Sequence, residues 1–279
     1  MNTRRSVLLT ALAVTLALLS TSCRGQSVIK RLPRTTKDIT YATVGGQPMH
    51  LDRYVPSGSG PWPGILLIHG GAWSLERFTK DGPDIVPVAK ALAKSGFLVA
   101  VPDYRLAPEF PYPAAVRDLQ RALDWLVSQP DVIEDDVATI GGSAGGHLAA
   151  LLALTGDSVG AWVGMSGVYD FNETMPPALE LAVDTFLGSN DSRALRAEAS
   201  PITYVGSDDI PAYMTNFRRD VVGLGKRPAV PSGQMREMAS ALRAAGVSVE
   251  TDLVPRAGHA FSAWRFVGAD VLDWLSRTL

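Results

Sequence analysis

The hexapeptide Gly141-Gly142-Ser143-Ala144-Gly145-Gly146 lies between two apolar runs, Val137 to Ile140 and Leu148 to Leu154, and it narrows the possible fold more than any other stretch. It predicts a strand, a sharp turn carrying a serine, and a helix. Glycines two residues to either side of Ser143 give G-x-S-x-G, because a side chain held on so tight a turn needs neighbours without a Cβ if strand and helix are to approach. Ser143 would then project into solvent at the end of a sheet. A serine hydroxyl is a weak nucleophile at its ordinary acidity. Chemistry at Ser143 therefore requires a histidine base, a carboxylate to orient that histidine, and donors for the developing oxyanion. Gly, Ser and Ala are common residues, so the rest of the chain must supply those partners.

Donors are found upstream. Gly64 to Ile68 is a short, continuous apolar run of the kind that makes a buried parallel strand, and it leads directly into His69-Gly70-Gly71-Ala72-Trp73. Adjacent glycines after a strand leave the backbone bare, so that N–H groups can face a ligand oxygen. Standing alone, Gly70 and Gly71 would read as a tight turn. Paired with the Ser143 turn, the N–H groups of Gly71, Ala72 and Ala144 read as an oxyanion hole, with Gly70 supporting the loop.

Between the two motifs lies Asp103-Tyr104-Arg105-Leu106-Ala107-Pro108-Glu109, continuing Phe110-Pro111-Tyr112-Pro113-Ala114-Ala115-Val116-Arg117-Asp118. Together the three segments resemble the hormone-sensitive-lipase-like esterases of the α/β-hydrolase fold, and the likeness covers nearly the whole chain beyond its N-terminal segment. The resemblance implies an α/β architecture: a mostly parallel twisted sheet, helices on both faces, and a small lid. It implies hydrolysis of acyl esters by a serine nucleophile, with no metal or organic cofactor. In that family D-Y-R-L-A-P-E braces the catalytic loops, so Asp103, Arg105 and Glu109 are expected in structural ion pairs. Two departures stand out: Ala72 replaces the third glycine of the usual H-G-G-G, and Gly142 stands where an Asp is common. The form H-G-G-A-W is also similar to the branch containing bacterial feruloyl-type esterases and kynurenine formamidase. Amide-like substrates therefore stay open beside short-chain acyl and aryl esters.

The fold's chain order of serine, acid, histidine asks for a base after Ser143. His147 and His259 qualify. His147 lies four residues into the following helix, where its side chain points along the helix rather than back at the hydroxyl, so it reads as structural. His259 follows the strand-like run Val247 to Val254 on a loop, and is the expected base. His50 and His69 precede the nucleophile, and His69 reads as a prop for the oxyanion loop. For the acid, Ala212 to Phe217 is a predicted strand and Asp220 comes three residues beyond its end, at the edge where sites of parallel sheets collect. Asp208 and Asp209 lie at that strand's entrance. Relatives usually carry a compact H-G-x-x-D-x-x-V-P loop here, whereas this chain has Phe217-Arg218-Arg219-Asp220, then Val221 to Ala229 before Val230-Pro231. Either Asp220 is the acid with an enlarged loop after it, or the loop is degenerate and the chain is a hydrolase-fold protein that binds without catalysing.

Composition sets the remaining bounds. With 279 residues, 46% hydrophobic content and 19% charged content, the chain can bury a full core in one domain. A net charge of -2, without a basic stripe, Walker motif, zinc-ligand spacing or internal repeat, argues against a nucleic acid partner, and the resemblance implies a small-molecule ester as the substrate. Residues 1–22 read as a signal peptide, because Arg4 and Arg5 precede the uncharged run Ser6 to Ser22. Leu18-Leu19-Ser20-Thr21-Ser22-Cys23 resembles a lipoprotein box, and Thr3 to Leu8 resembles a twin-arginine signal. Cys23 is then either discarded or lipidated as an anchor to the cell envelope. Residues 23–37, basic and without acids, form the expected tether, and 38–279 the hydrolase domain. Within it, 171–200 breaks the strand-helix rhythm and reads as a small lid whose Met175, Leu179, Leu181 and Phe186 either line a substrate pocket or pack within the lid. Trp264, Val267, Val271 and Trp274 are expected core residues of a final helix.

Overall fold

A computed structural model of the chain describes residues 33–188, 191–208, 210–223 and 227–279. The expected signal peptide, Cys23 and the tether as far as residue 32 lie outside the described residues, as does Asp209. Among the described residues the backbone forms one nine-stranded sheet. Its strands are β1 (Arg34–Val44), β2 (Gln47–Val55), β3 (Trp62–Ile68), β4 (Leu98–Pro102), β5 (Val132–Gly142), β6 (Ala161–Met165), β7 (Ala212–Val222), β8 (Arg227–Pro228) and β9 (Val249–Gly258). They stand in the order β1-β2-β4-β3-β5-β6-β7-β9, with β8 paired to the far end of β7. β2 is antiparallel to both of its neighbours, and from β4 to β9 the neighbours are parallel.

Parallel neighbours need crossovers long enough for a helix. The chain supplies α1 (Val86–Lys94), α2 (Ala114–Val127) and α3 (Ala144–Thr155) between successive strands from β3 to β6. Between β6 and β7 come α4 (Pro177–Leu187) and α5 (Arg193–Glu198); α6 (Ser232–Ala244) leads to β9, and α7 (Trp264–Thr278) ends the chain. One core packs Leu66, Leu119, Leu123, Leu148 and Met238 beneath α2, α3 and α6, and a second packs Ile65, Leu92, Val163, Val271 and Trp274 beneath α1 and α7. Cover on both faces is why β3, β4 and β6 are continuous apolar runs rather than alternating ones. It also delivers the carboxyl ends of the parallel strands to a single edge, the usual place for a site.

Three details differ from the expectations. β1 starts at Arg34, inside the expected tether, because Arg34 pairs with Val55 of β2 and Lys37 forms ion pairs with Asp81 and Asp52. β7 runs to Val222 rather than stopping at Phe217, since β9 continues beside it as far as the Asp220–Gly258 pair and β8 pairs with Val221 and Val222. Asp220 therefore belongs to a strand, not to the loop beyond one. Leu181 is 67% exposed, whereas Met175 and Phe186 are buried, so the apolar residues of 171–200 are divided between packing and surface. Met175 lines an open cleft of about 500 Å³ with Phe171, Thr174 and Pro177. Arg196 ties the segment together: it donates to Glu180 at 2.7 Å and to the Phe171 carbonyl at 3.0 Å, and also pairs with Asp184 and Asp191. No helix among the described residues is long and apolar enough to cross a membrane.

Candidate active site

Ser143 joins β5 to α3 with φ 57° and ψ −123°, a region an L-residue occupies only when its surroundings enforce it. Its N–H donates to the Met165 carbonyl at 2.8 Å, and its carbonyl accepts the His147 N–H at 3.1 Å. The flanking glycines make the turn possible. A Cβ on Gly141 would lie 2.0 Å from the Gly145 carbonyl oxygen, and one on Gly145 would lie 2.3 Å from that of Ile68. Gly142 has a different reason: a Cβ there would come 3.0 Å from the Ala260 Cβ and 3.2 Å from the Phe261 ring. An Asp at this position would crowd the segment that follows His259.

The loop after β3 rises beside the serine. A Cβ on Gly70 would lie 2.8 Å from the Gly142 carbonyl oxygen and 3.3 Å from the Ser143 Cβ. Gly71, Ala72 and Trp73 follow with φ of 110°, 50° and 57°. Positive φ is easy for glycine and unfavourable for Ala and Trp, so Trp73 must be held. Its carbonyl accepts the Ala107 N–H at 2.9 Å, its ring stacks on Phe186 of α4 at 4.9 Å, and its indole N–H donates to His147 Nδ1 at 3.1 Å. The other nitrogen of His147, Nε2, donates to the Ala199 carbonyl at 2.7 Å. Burial pushes His147 down to about 4, so its ring is neutral and both nitrogens serve as structural bonds. His147 thus clamps the loop after β3 to the 171–200 segment.

His69 props the same loop. Its Nδ1 lies 2.8 Å from the Gly70 carbonyl and its ring stacks on Tyr104 at 4.3 Å. Burial pushes it, too, down to about 4, so its 3.6 Å approach to Asp103 is not an ion pair at neutral pH. With the loop fixed in this way, the N–H groups of Gly71 and Ala72 meet no acceptor among the described residues. That of Ala144, first in α3, has no partner within its helix. These are the three amides expected to receive an oxyanion.

His259 follows β9 directly, and its Nδ1 lies 2.6 Å from Asp220 Oδ1. Asp220 is almost fully buried, while His259 is about one-fifth exposed. The carboxylate is fully engaged: Oδ1 also accepts the Val230 N–H at 3.0 Å, and Oδ2 lies 2.6 Å from the Ser166 hydroxyl. Residues Ala260 and Phe261, next to His259, are the ones that touch Gly142 beside the serine. The ends of β7 and β9 thus bring the expected acid and base together, and Ala260 and Phe261 set them beside the turn that carries Ser143, with no hydrogen bond joining Ser143 to His259 among the described residues. Ser166 was not singled out by sequence, where a serine after a short apolar strand carries no signal of its own. In D-Y-R-L-A-P-E, Arg105 makes a two-pronged contact with Asp118 at 2.8 and 2.9 Å and Asp103 accepts the Lys80 N–H at 2.8 Å, whereas Glu109 makes no ion pair among the described residues. No group of three or more His, Cys, Asp or Glu converges on a common point among the described residues.

A mostly parallel sheet whose serine stands on a strained strand-to-helix turn, beside a buried Asp paired with a His, defines an α/β-hydrolase. The BD-FAE family profile matches residues 51–241, and the chain belongs to that family. It is 30% identical to esterase LipQ of Mycobacterium tuberculosis over 260 residues, 83% of this chain and 58% of that protein. It is 32% identical to carboxylesterase NlhH of the same organism over 219 residues, 71% of this chain and 66% of that protein. The chain spans 51–58% of the length of LipQ and of two further relatives, LipM and LipC. Among solved structures, a truncated carbohydrate esterase from gut microbiota is similar with a TM-score of 0.73 at 20% identity, over 90% of this chain and 98% of that one. An esterase of Pyrobaculum calidifontis gives 0.72 at 24% identity over 89% and 85%. At these identities the structures show a shared fold.

Proposed function

We propose that the chain is a serine carboxylic-ester hydrolase acting through an acyl-enzyme on short-chain acyl or aryl esters. The observation that carries this reading is the 2.6 Å contact between Asp220 and His259 at the meeting of the Ser143 turn and the Gly70–Ala72 loop. Ser143 attacks the ester carbonyl while His259 takes its proton and then gives it to the leaving alcohol. Asp220 accepts the Nδ1–H and so presents Nε2 to the hydroxyl. The N–H groups of Gly71, Ala72 and Ala144 receive the oxyanion, and because positive φ angles and the Trp73 contacts already fix their loop, little reorganisation is needed at the moment of reaction. Water then attacks the acyl-enzyme by the reverse proton path.

Hydrolysis of p-nitrophenyl acetate and butyrate by wild type and Ser143→Ala tests the assignment. The variant is expected to lose at least about 1,000-fold in rate, and equal rates would refute the role of Ser143. Covalent labelling of Ser143 by a fluorophosphonate separates the enzyme from a binding protein of the same fold. A segment as short as 171–200 offers little surface to open at a lipid interface, so kcat/KM should be higher for C4 than for C16 esters. Aryl formamides are the amide substrates to assay alongside. We also propose export and lipidation at Cys23, tested by loss of palmitate labelling in Cys23→Ser.

A further inference from the structure

We propose that Ser166 is a positioning residue that locks the acid and base of this site into one hydrogen-bonded ring. The inference rests on the reading of Asp220 and His259 as acid and base. Ser166 lies one residue past β6, is 1% exposed, and anchors its own N–H on the Thr215 carbonyl of β7 at 2.8 Å. Its hydroxyl oxygen lies 2.6 Å from Asp220 Oδ2, 3.1 Å from the Ala260 nitrogen and 3.4 Å from Asn216 Oδ1. An amide can only donate, so the hydroxyl accepts from Ala260 and its single proton goes to the nearer acceptor, the Asp220 carboxylate. The ring then closes from Asp220 Oδ2 through Ser166 to Ala260, along the chain to His259, and from Nδ1 back to Asp220 Oδ1.

Ser166 holds φ 53°, a conformation that glycine would adopt without cost. A serine in that place keeps a hydroxyl where the backbone alone favours its absence. Without it, Asp220 Oδ2 would be buried with no donor and the Ala260 N–H with no acceptor, so that the carboxylate would be held through Oδ1 alone and the His259 loop would lose its anchor. Among the described residues Asp220 pairs with no arginine or lysine, since the neighbouring Arg218 and Arg219 are exposed and make no ion pair. The ring, together with the Val230 N–H on Oδ1, therefore fixes the direction of the carboxylate.

The decisive variants are Ser166→Gly, which removes the hydroxyl while easing the backbone, and Ser166→Ala, which removes it alone. A merely structural serine would be replaced by glycine without effect on chemistry. We expect both variants to fold with native circular dichroism, and kcat for p-nitrophenyl butyrate to fall by about 10- to 100-fold while KM stays within about twofold. Removing a donor from the carboxylate concentrates its charge on the His259 side and favours the imidazolium. The acid limb of the kcat/KM profile should therefore move up by about 0.5–1 pH unit. Titration of ¹⁵N-labelled His259 by NMR, which needs no substrate, should move in the same direction. A Ser166→Gly protein with wild-type kcat and an unshifted His259 titration would overturn the proposal. Failure of the wild type to hydrolyse any ester would instead strike the functional reading, and the histidine titration would still decide what Ser166 does.

Discussion

Replacing His147 by Gln should remove a defined share of the protein's acid sensitivity and little else. His147 and His69 are both held neutral by burial, at about 4 against an ordinary 6.5. The unfolded chain therefore binds two protons that the folded chain refuses. Their contribution to stability is fully present above about pH 6.5 and is lost as pH falls toward 4. A depression of about 2.5 units corresponds to about 3.4 kcal/mol per histidine at the acid limit, and to about 2 kcal/mol at pH 5. A glutamine amide can accept the Trp73 indole N–H and donate to the Ala199 carbonyl, the two bonds His147 makes at 3.1 and 2.7 Å, and it does not titrate. Urea unfolding at pH 7.5 and pH 5 measures the effect. Between those pH values the variant should lose about 2 kcal/mol less than the wild type. The carboxylates are common to both proteins, so the difference isolates His147. An identical pH dependence would refute the claim that this ring is buried without charge.

Three further outcomes follow from the same geometry. Trp73→Leu empties the stack on Phe186 and leaves His147 Nδ1 without its donor, so chemical denaturation should show a loss of about 3–5 kcal/mol, with kcat for esters falling more than KM rises. Gly142→Asp introduces a Cβ 3.0 Å from the Ala260 Cβ, and should cost about 1–3 kcal/mol in the same assay while slowing ester turnover. Arg196→Met leaves Glu180, Asp184 and Asp191 to repel one another, so limited proteolysis should cut within 171–200 faster while the thermal midpoint of the domain barely moves.

The Ser143 turn, the loop after β3 and His259 were legible in the sequence because each is a local device. Glycines at fixed offsets are forced where an added Cβ would come within 2.0–2.8 Å of a backbone oxygen, and those offsets survive in one dimension. Alternation of apolar runs with helical segments likewise named the parallel sheet, since both faces of each central strand must be covered. The acid was harder to read. Asp220 reads as a loop residue in an irregular segment, and it is a strand residue because β9, remote in sequence, pairs with β7 as far as Asp220 and the nearby β8 pairs with Val221 and Val222. Nor did any local pattern mark Ser166, whose hydroxyl meets a carboxylate 54 residues away and an amide 94 residues away. Sequence by itself determined the sheet, the Ser143 turn and the glycine loop after β3, all built from short-range sterics and periodicity. Only the tertiary structure decided the geometry of the acid, the neutral clamp at His147 and the Ser166 bond, because hydrogen bonds between elements depend on register and packing, which the order of residues along the chain does not display.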